Sequence, residues 1–204
     1  MRGLDQDRIV DAALELLDQD GLAGVTTRRL ADRLGVKSPS LYWHIRDRER
    51  LLDLLSDRIV ADAKWPDPSS GWRETAEALM GEHLRCLLAH RDAARVVAGR
   101  PPIGPNRLRG AEMLLHALLS AGLAEVEAID AGLVLTTYVV GFALEQQAAE
   151  PSPSIEALDP NRYPTLARLS KALPTAGWAR FDEGLRVILD GVEKRLLAHG
   201  VSPA

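Results

Sequence analysis

The sequence predicts an all-α fold, on three observations. Aliphatic residues and alanine recur at helical spacings, no segment alternates apolar and polar residues as a half-buried strand does, and glycine and proline clusters cut the chain into helix-length pieces. At 204 residues the chain suits one to two domains and can bury a sizeable core.

The first helix is expected over about 5–20, with Val10, Leu14 and Leu17 as its apolar stripe. Thr26 reads as an N-cap, and Leu30 and Leu34 share one face of a short helix with Ala31 beside them. Gly35 supplies the left-handed residue that ends that helix. Ser38-Pro39 is a second start signal, a capping hydroxyl followed by proline at the first helical position, and Leu41 and Ile45 hold this next helix inward. Two short helices joined by a tight turn make a helix-turn-helix, whose second helix enters the major groove by its N-terminal end.

A connecting helix follows over about 48–64, and Trp65-Pro66-Asp67-Pro68-Ser69-Ser70-Gly71 punctuates the chain. This divides the sequence into an N-terminal domain, 1–64, and a C-terminal body, 65–204. Body helices are expected over about 72–90, 92–99, 106–120, 126–149, 165–173 and 177–198, with a Pro-rich break at 101–105. The four prolines within 150–164 predict a mobile loop. In the last helix Trp178, Phe181, Leu185, Ile188, Val192 and Leu196 step by 3, 4, 3, 4 and 4, a seam for a partner helix. The helix over 126–149 is apolar nearly all round and carries Val140 and Leu144. Both helices suit either the core of a monomer or a homodimer interface; reading two DNA half-sites needs two-fold symmetry, which favours the dimer.

Charge supports nucleic acid as a partner at one place only. The chain carries −4 overall, but residues 26–50 hold seven basic and three acidic groups. Lys37, Ser38, Ser40, Tyr42, Trp43 and His44 supply the charge, hydroxyls and rings that contact phosphate and base edges. The single Cys86 excludes an intrachain disulfide and fits a reducing, cytoplasmic setting, and is read as a buried small hydrophobe. Charge from Arg2 onward argues against a signal peptide, and the apolar run Ala131–Leu144, 14 residues, is too short for a bilayer and reads as a buried core helix, so no membrane partner is expected.

Residues from about 7 to 55 resemble the DNA-binding domain of the TetR family of transcriptional repressors. The resemblance rests on Asp11–Leu17, Gly21, Thr26-Thr27-Arg28, Leu30-Ala31, Leu34-Gly35, Leu41-Tyr42-Trp43-His44 and Leu51-Leu52. The Leu-Tyr-Trp-His form is similar to the tetracycline-repressor branch, and the likeness extends more weakly through Arg91-Asp92 and Gly141–Gln147. It implies that Arg28 reads guanine, that Lys37, Ser38, Ser40, Tyr42, Trp43 and His44 touch bases and phosphates, and that Arg48 clamps a phosphate. Thr26, Thr27 and Tyr42 fall at positions of structural or phosphate-binding use only. Ser38 and Ser40 depart from the branch, which commonly has Gln and Thr there, and so imply a different operator.

The resemblance further implies double-stranded DNA, a second copy of the chain and a small organic effector as partners. The effector sits in the C-terminal body and swings the connecting helix, while the last two long helices pair with their copies. The interface then falls on Val140, Leu144, Trp178, Phe181, Leu185, Ile188 and Val192. The histidine that binds the drug's magnesium in the tetracycline repressor falls on Val97, and a nearby threonine on Arg100. Other pocket positions fall on Lys64, Leu79, His83, Thr137 and a retained Glu145. Valine offers magnesium nothing, so tetracycline–magnesium is rejected and no cofactor is expected. Val97, Leu79 and Leu114, with His83, Arg100, Thr137 and Glu145, suit an apolar organic molecule with a few polar anchors.

The rival classes are an enzyme and a ligand-binding helical dimer without specific DNA binding. His83, His90, His116, Glu82, Glu112 and Cys86 form no metalloprotease, thiol-pair, nucleophile-elbow or phosphate-loop pattern, and the expectation is no enzyme. The basic-aromatic cluster argues against a dimer that ignores DNA.

Overall fold

The computed structural model describes residues 4–67, 71–148, 159–169, 177–198 and 200. Among them there are ten α-helices and no strand. They are α1 (Gln6–Asp20), α2 (Thr27–Leu34), α3 (Ser38–Tyr42), α4 (Arg48–Arg58), α5 (Trp72–Leu88), α6 (Ala93–Val97), α7 (Pro105–Ser120), α8 (Glu125–Ala148), α9 (Pro164–Leu169) and α10 (Trp178–Ala198). A 3-10 turn, Leu22–Gly24, joins α1 to α2, an element that the hydrophobic periodicity does not mark. Most of the expected 150–164 loop lies outside the described residues.

Local chemistry fixes the N-terminal helices. The Asp5 carboxylate accepts from the Arg8 N–H at 2.9 Å, Thr26 Oγ1 from the Arg29 N–H at 3.3 Å, and Asp47 from the Arg50 N–H at 2.8 Å. Gly35 closes α2 at φ 66°, the left-handed conformation that glycine adopts without penalty. One start signal is used differently: the N-cap of α3 is Lys37, with Ser38 and Pro39 already helical, so the Ser38 side chain makes no cap. The packed face of α1 is also wider than its three-residue stripe, because Ile9, Ala13 and Leu16 are buried with Val10 and Leu17 while Leu14 is half-buried. Leu30, Leu41, Ile45, Leu52 and Leu55 complete this core. Each such side chain stabilises the fold by roughly 1.5–3 kcal/mol.

The connecting helix is shorter than expected. Regular α4 ends at Arg58, and bonds from Val60 N to Asp57 O and from Ala61 N to Arg58 O tighten the chain into three-residue turns. The tightening puts adjacent Ile59 and Val60 both into the core. In the body, α5 packs against both α7 and α8, and α6 lies between α4 and α8.

Two readings of the long C-terminal helices are corrected. α8 is not simply a buried core helix: Leu135, Val139, Phe142 and Ala143 are buried, whereas Val126, Ile129, Leu133 and Val134 on its other side are exposed. At 24 residues it is the one described helix long and apolar enough, by length and composition, to cross a membrane. The α10 seam, in turn, is largely covered by the chain itself. Phe181, Leu185, Val192 and Leu196 are buried, Ile188 is half-buried, and Trp178 is half-exposed. Tyr138 and Phe142 of α8 pack on Phe181, with the Tyr138 ring stacked at 5.4 Å, and Tyr138 Oη donates to the Phe181 carbonyl at 2.9 Å. Gly184 makes this approach possible, since a Cβ there would overlap the tyrosine hydroxyl. Arg73 of α5 adds ion pairs to Asp190 (2.5 Å) and Glu193 (3.1 Å). A 3–4 periodicity reports that a helix face is covered, not by which chain, and here Phe181 packs on Tyr138 and Phe142 of its own α8 while Leu185 and Val192 are buried within the chain.

Candidate functional site

The first site is the outer face of α2 and α3. Thr27, Ser38 and Ser40 are half-buried at the helix starts, and Arg28, Lys37, Tyr42, Trp43, His44 and Arg48 are exposed. Trp43 is 89% exposed, an unusual state for the largest apolar side chain unless it meets something else. The structure also sorts the cations of this segment. Arg29 is paired with Asp20 and Arg33 with Glu15 (2.7 Å), both acids of α1, while Arg46 pairs with its neighbour Asp47. Among the described residues Arg28, Lys37, Arg48 and Arg50 form no such ion pair, which leaves four cations of this segment, three of them (Arg28, Lys37 and Arg48) at the expected contact positions beside an exposed aromatic cluster.

The second site is a cavity of about 780 Å³ in the body, walled by α5, α6, α7, α8 and the segment after α4. Of the expected pocket residues, Leu79, His83, Val97, Arg100, Leu114 and Thr137 line it. Lys64 and Glu145 do not. The Lys64 side chain is exposed while its backbone N–H donates to Glu82 at 2.6 Å, and Glu145 is exposed on a turn of α8 beyond the cavity wall. Two residues expected at a dimer interface, Val140 and Leu144, are half-buried and belong to the cavity wall.

His83 projects among apolar walls. Burial first, and then the nearby Arg107 guanidinium, push its pKa down to about 4, so its ring is neutral near pH 7. The Glu82 carboxylate is occupied by Arg85 at 2.7 Å and the Lys64 N–H; Arg85 is the larger cause holding its pKa low. Arg100 is not a free anchor either: it reaches Glu49 at 2.7 Å and Asp53 at 2.8 Å, both on α4.

Arg107, Asn106, Asp57, Gly104 and Trp65 carry much of the site, and no sequence signal points to them. Asp57, buried on α4, accepts from Asn106 Nδ2 at 2.9 Å and the Arg107 N–H at 2.8 Å, so a carboxylate of α4 caps the N-terminus of α7. Gly104 permits this, because a Cβ there would fall on the Asp57 carboxylate. Arg107 Nη1 donates to Ser56 Oγ at 3.2 Å and to the Pro101 carbonyl at 2.9 Å, and Nη2 to the Arg100 carbonyl at 2.9 Å. Residues 100, 106 and 107 are thus both cavity wall and the joint to α4.

An exposed helix-turn-helix rigidly continued into a hollow helical body defines a class: helical DNA-binding regulators with a ligand chamber. Comparison with known families makes the class specific. Residues 9–55 match the model for bacterial regulatory proteins of the tetR family, and residues 65–196 match the tetracyclin repressor-like C-terminal domain. The chain belongs to the TetR family of transcriptional regulators. It is 35% identical to the class A tetracycline repressor protein from transposon 1721 of Escherichia coli, over 97% of this chain and 94% of that one. It is 36% identical to an HTH-type transcriptional regulator of Saccharopolyspora erythraea, over 93% of this chain and 84% of that one. Among solved structures it superposes on the TetR family protein ActR of Streptomyces coelicolor in complex with (S)-DNPA, with TM-score 0.86, 36% identity and coverage of 95% and 99%. These relatives carry the names of regulators rather than of enzymes.

Proposed function

We propose that this chain is a cytoplasmic repressor that binds a palindromic operator as a homodimer and is released by a small organic effector other than tetracycline–magnesium. The observation that carries this reading is the continuity of the two sites: Arg100, Asn106 and Arg107 face the cavity and are hydrogen-bonded to the helix that follows the DNA-reading face. Residues 1–64 act as the reading domain and 65–204 as the effector and dimer domain. Arg28, Lys37 and Arg48 supply phosphate and guanine contacts, Ser38, Ser40 and His44 hydrogen bonds, and Tyr42 and Trp43 apolar contact, with Thr27 at a phosphate. The superposition on ActR bound to (S)-DNPA supports the cavity as an effector chamber, and Val97 at its wall offers a magnesium ion no ligand.

The dimer forms through the exposed apolar side of α8, at Val126 and Val134 with the neighbouring Ile129 and Leu133, which also line the cavity, joined by Val187 and Trp178 of α10. An apolar face of this length left in water calls for a partner. Val134→Asp, on the part of this face outside the cavity wall, should give a monomer in analytical ultracentrifugation; a dimeric variant would remove this face from the interface.

The deciding test is selection of bound sequences from a random DNA pool near physiological ionic strength. The expected product is a palindrome with half-sites about 34 Å, one turn, apart. Failure to enrich any sequence with ligand-free, refolded protein would favour a helical effector-binding dimer that does not read DNA.

A further inference from the structure

The cavity wall is apolar except at a few places, and those places differ in whether their charge is already answered. Glu82 is paired with Arg85, and Arg100 with Glu49 and Asp53. Asp57 caps α7. His83 is neutral. Arg107 is different. Its guanidinium is half-buried on the wall, and its three hydrogen bonds run to two backbone carbonyls and one hydroxyl, all neutral acceptors. Among the described residues no carboxylate forms an ion pair with it. Burial lowers its pKa, opposed by Asp57 and Asp53, which act on it from beyond contact distance. A desolvated guanidinium with donors left over is the group that binds a planar acid most strongly, because two parallel charge-assisted bonds replace the water it lost.

We propose that the effector is an amphipathic anion, with a flat apolar body lying against Leu79, Val97 and Leu114 and one acid group, carboxylate or sulfonate, seated on Arg107. This rests on the cavity being the effector chamber. The His83 ring offers the same molecule one hydrogen bond without repelling or attracting its charge. Because Arg107 also holds Ser56 of α4, an acid seated there pulls on the joint to the reading domain.

The test uses the full chain and two fluorescent probes of matched shape: 1-anilinonaphthalene-8-sulfonate and its uncharged relative N-phenyl-1-naphthylamine. The sulfonate should bind at one per protomer and about tenfold or more tighter than the neutral dye. Arg107→Met should lower the sulfonate affinity at least about tenfold and change the neutral dye less than twofold, with Arg107→Lys in between. Should Arg107→Met fail to fold, Arg107→Gln, which keeps hydrogen-bonding capacity, carries the same expectation. Equal loss of both dyes in these variants, or unchanged sulfonate binding, overturns the proposal. The double variant Thr137→Trp with Val140→Trp, which sets two indoles into the cavity from α8, separates this from the underlying reading. If both dyes still bind that variant, they sit elsewhere and the chamber itself is in error; if both are lost while Arg107 variants show no preference, only the anion is.

Discussion

Apart from the bonds at the chain connection, where the Lys64 N–H reaches Glu82 and Arg85 reaches the Asp62 carbonyl, residues 1–64 are fastened to the body at two places, and they are built differently. At the C-terminal end of α1, Asp18 holds the His90 ring at 3.0 Å and the Arg91 N–H at 3.3 Å, Arg91 reaches the Gln19 carbonyl at 3.1 Å, and Asp92 accepts from the Leu22 N–H at 2.8 Å. Asp92 does so from a left-handed conformation, φ 55°, worth roughly 1–2 kcal/mol of strain for a residue with a side chain. At α4, the fastening is the Asp57 cap on α7 together with Arg100 and Arg107. The first joint is more solvated at Asp18 and Arg91, with His90 and Asp92 half-buried, and touches no cavity residue. The second is half-buried and is part of the cavity wall. On the proposal that the cavity is an effector chamber, a molecule in it meets one joint and not the other, and the expected pivot is the α1 contact while the α4 contact moves.

The largest effect should come from Gly104→Val, which drives a branched side chain onto the Asp57 carboxylate. A loss of about 2–4 kcal/mol, read as a lower urea midpoint, is expected, and an unchanged midpoint would mean that the two helices are not held together there. Next is the pH response of His83. Its folded pKa lies below its unfolded value of 6.5, so as pH falls from 6.5 toward 4 the unfolded chain takes up a proton that the folded chain refuses. Stability should drop across that window by up to roughly 3 kcal/mol, less with water in the cavity, and stay flat below it. His83→Phe should flatten this part of the profile; a superimposable profile would place the ring in water. Asp57→Ala should cost about 1–3 kcal/mol by stripping the cap and removing a charge that offsets Arg107, and should weaken operator affinity with no ligand present. Asp18→Asn, at the solvated joint, should cost less than about 1 kcal/mol. A larger loss at Asp18 than at Asp57 would reverse the assignment of pivot and moving part.

How much of the molecule is legible in its sequence follows the same division. The caps at Asp5, Thr26 and Asp47 and the turn at Gly35 are decided within a few residues of chain, so the helix-turn-helix is legible from local sequence alone. Ser38 shows the margin of error: the helix simply begins one residue early and the hydroxyl makes no cap. The α10 seam is legible as a covered face but not as a face covered by α8, because periodicity carries no information about the partner. The α4 joint is not legible at all. Asp57 and Arg107 are 50 positions apart in sequence, and nothing near either announces the other. Likewise Arg29 and Arg33 count toward a basic patch in the sequence, whereas in the fold acids of α1 already neutralise them.

The missing side chain at position 104 has a consequence for how such chains diverge. The carboxylate at 57 occupies the volume that any other residue at 104 would need. Neither position is free to change alone: a larger residue at 104 requires a shorter or absent reach at 57, and a chain that loses the carboxylate no longer has any reason to keep glycine. The pair should therefore drift together or not at all across related sequences, as a linked substitution separated by 47 positions whose origin is steric rather than functional.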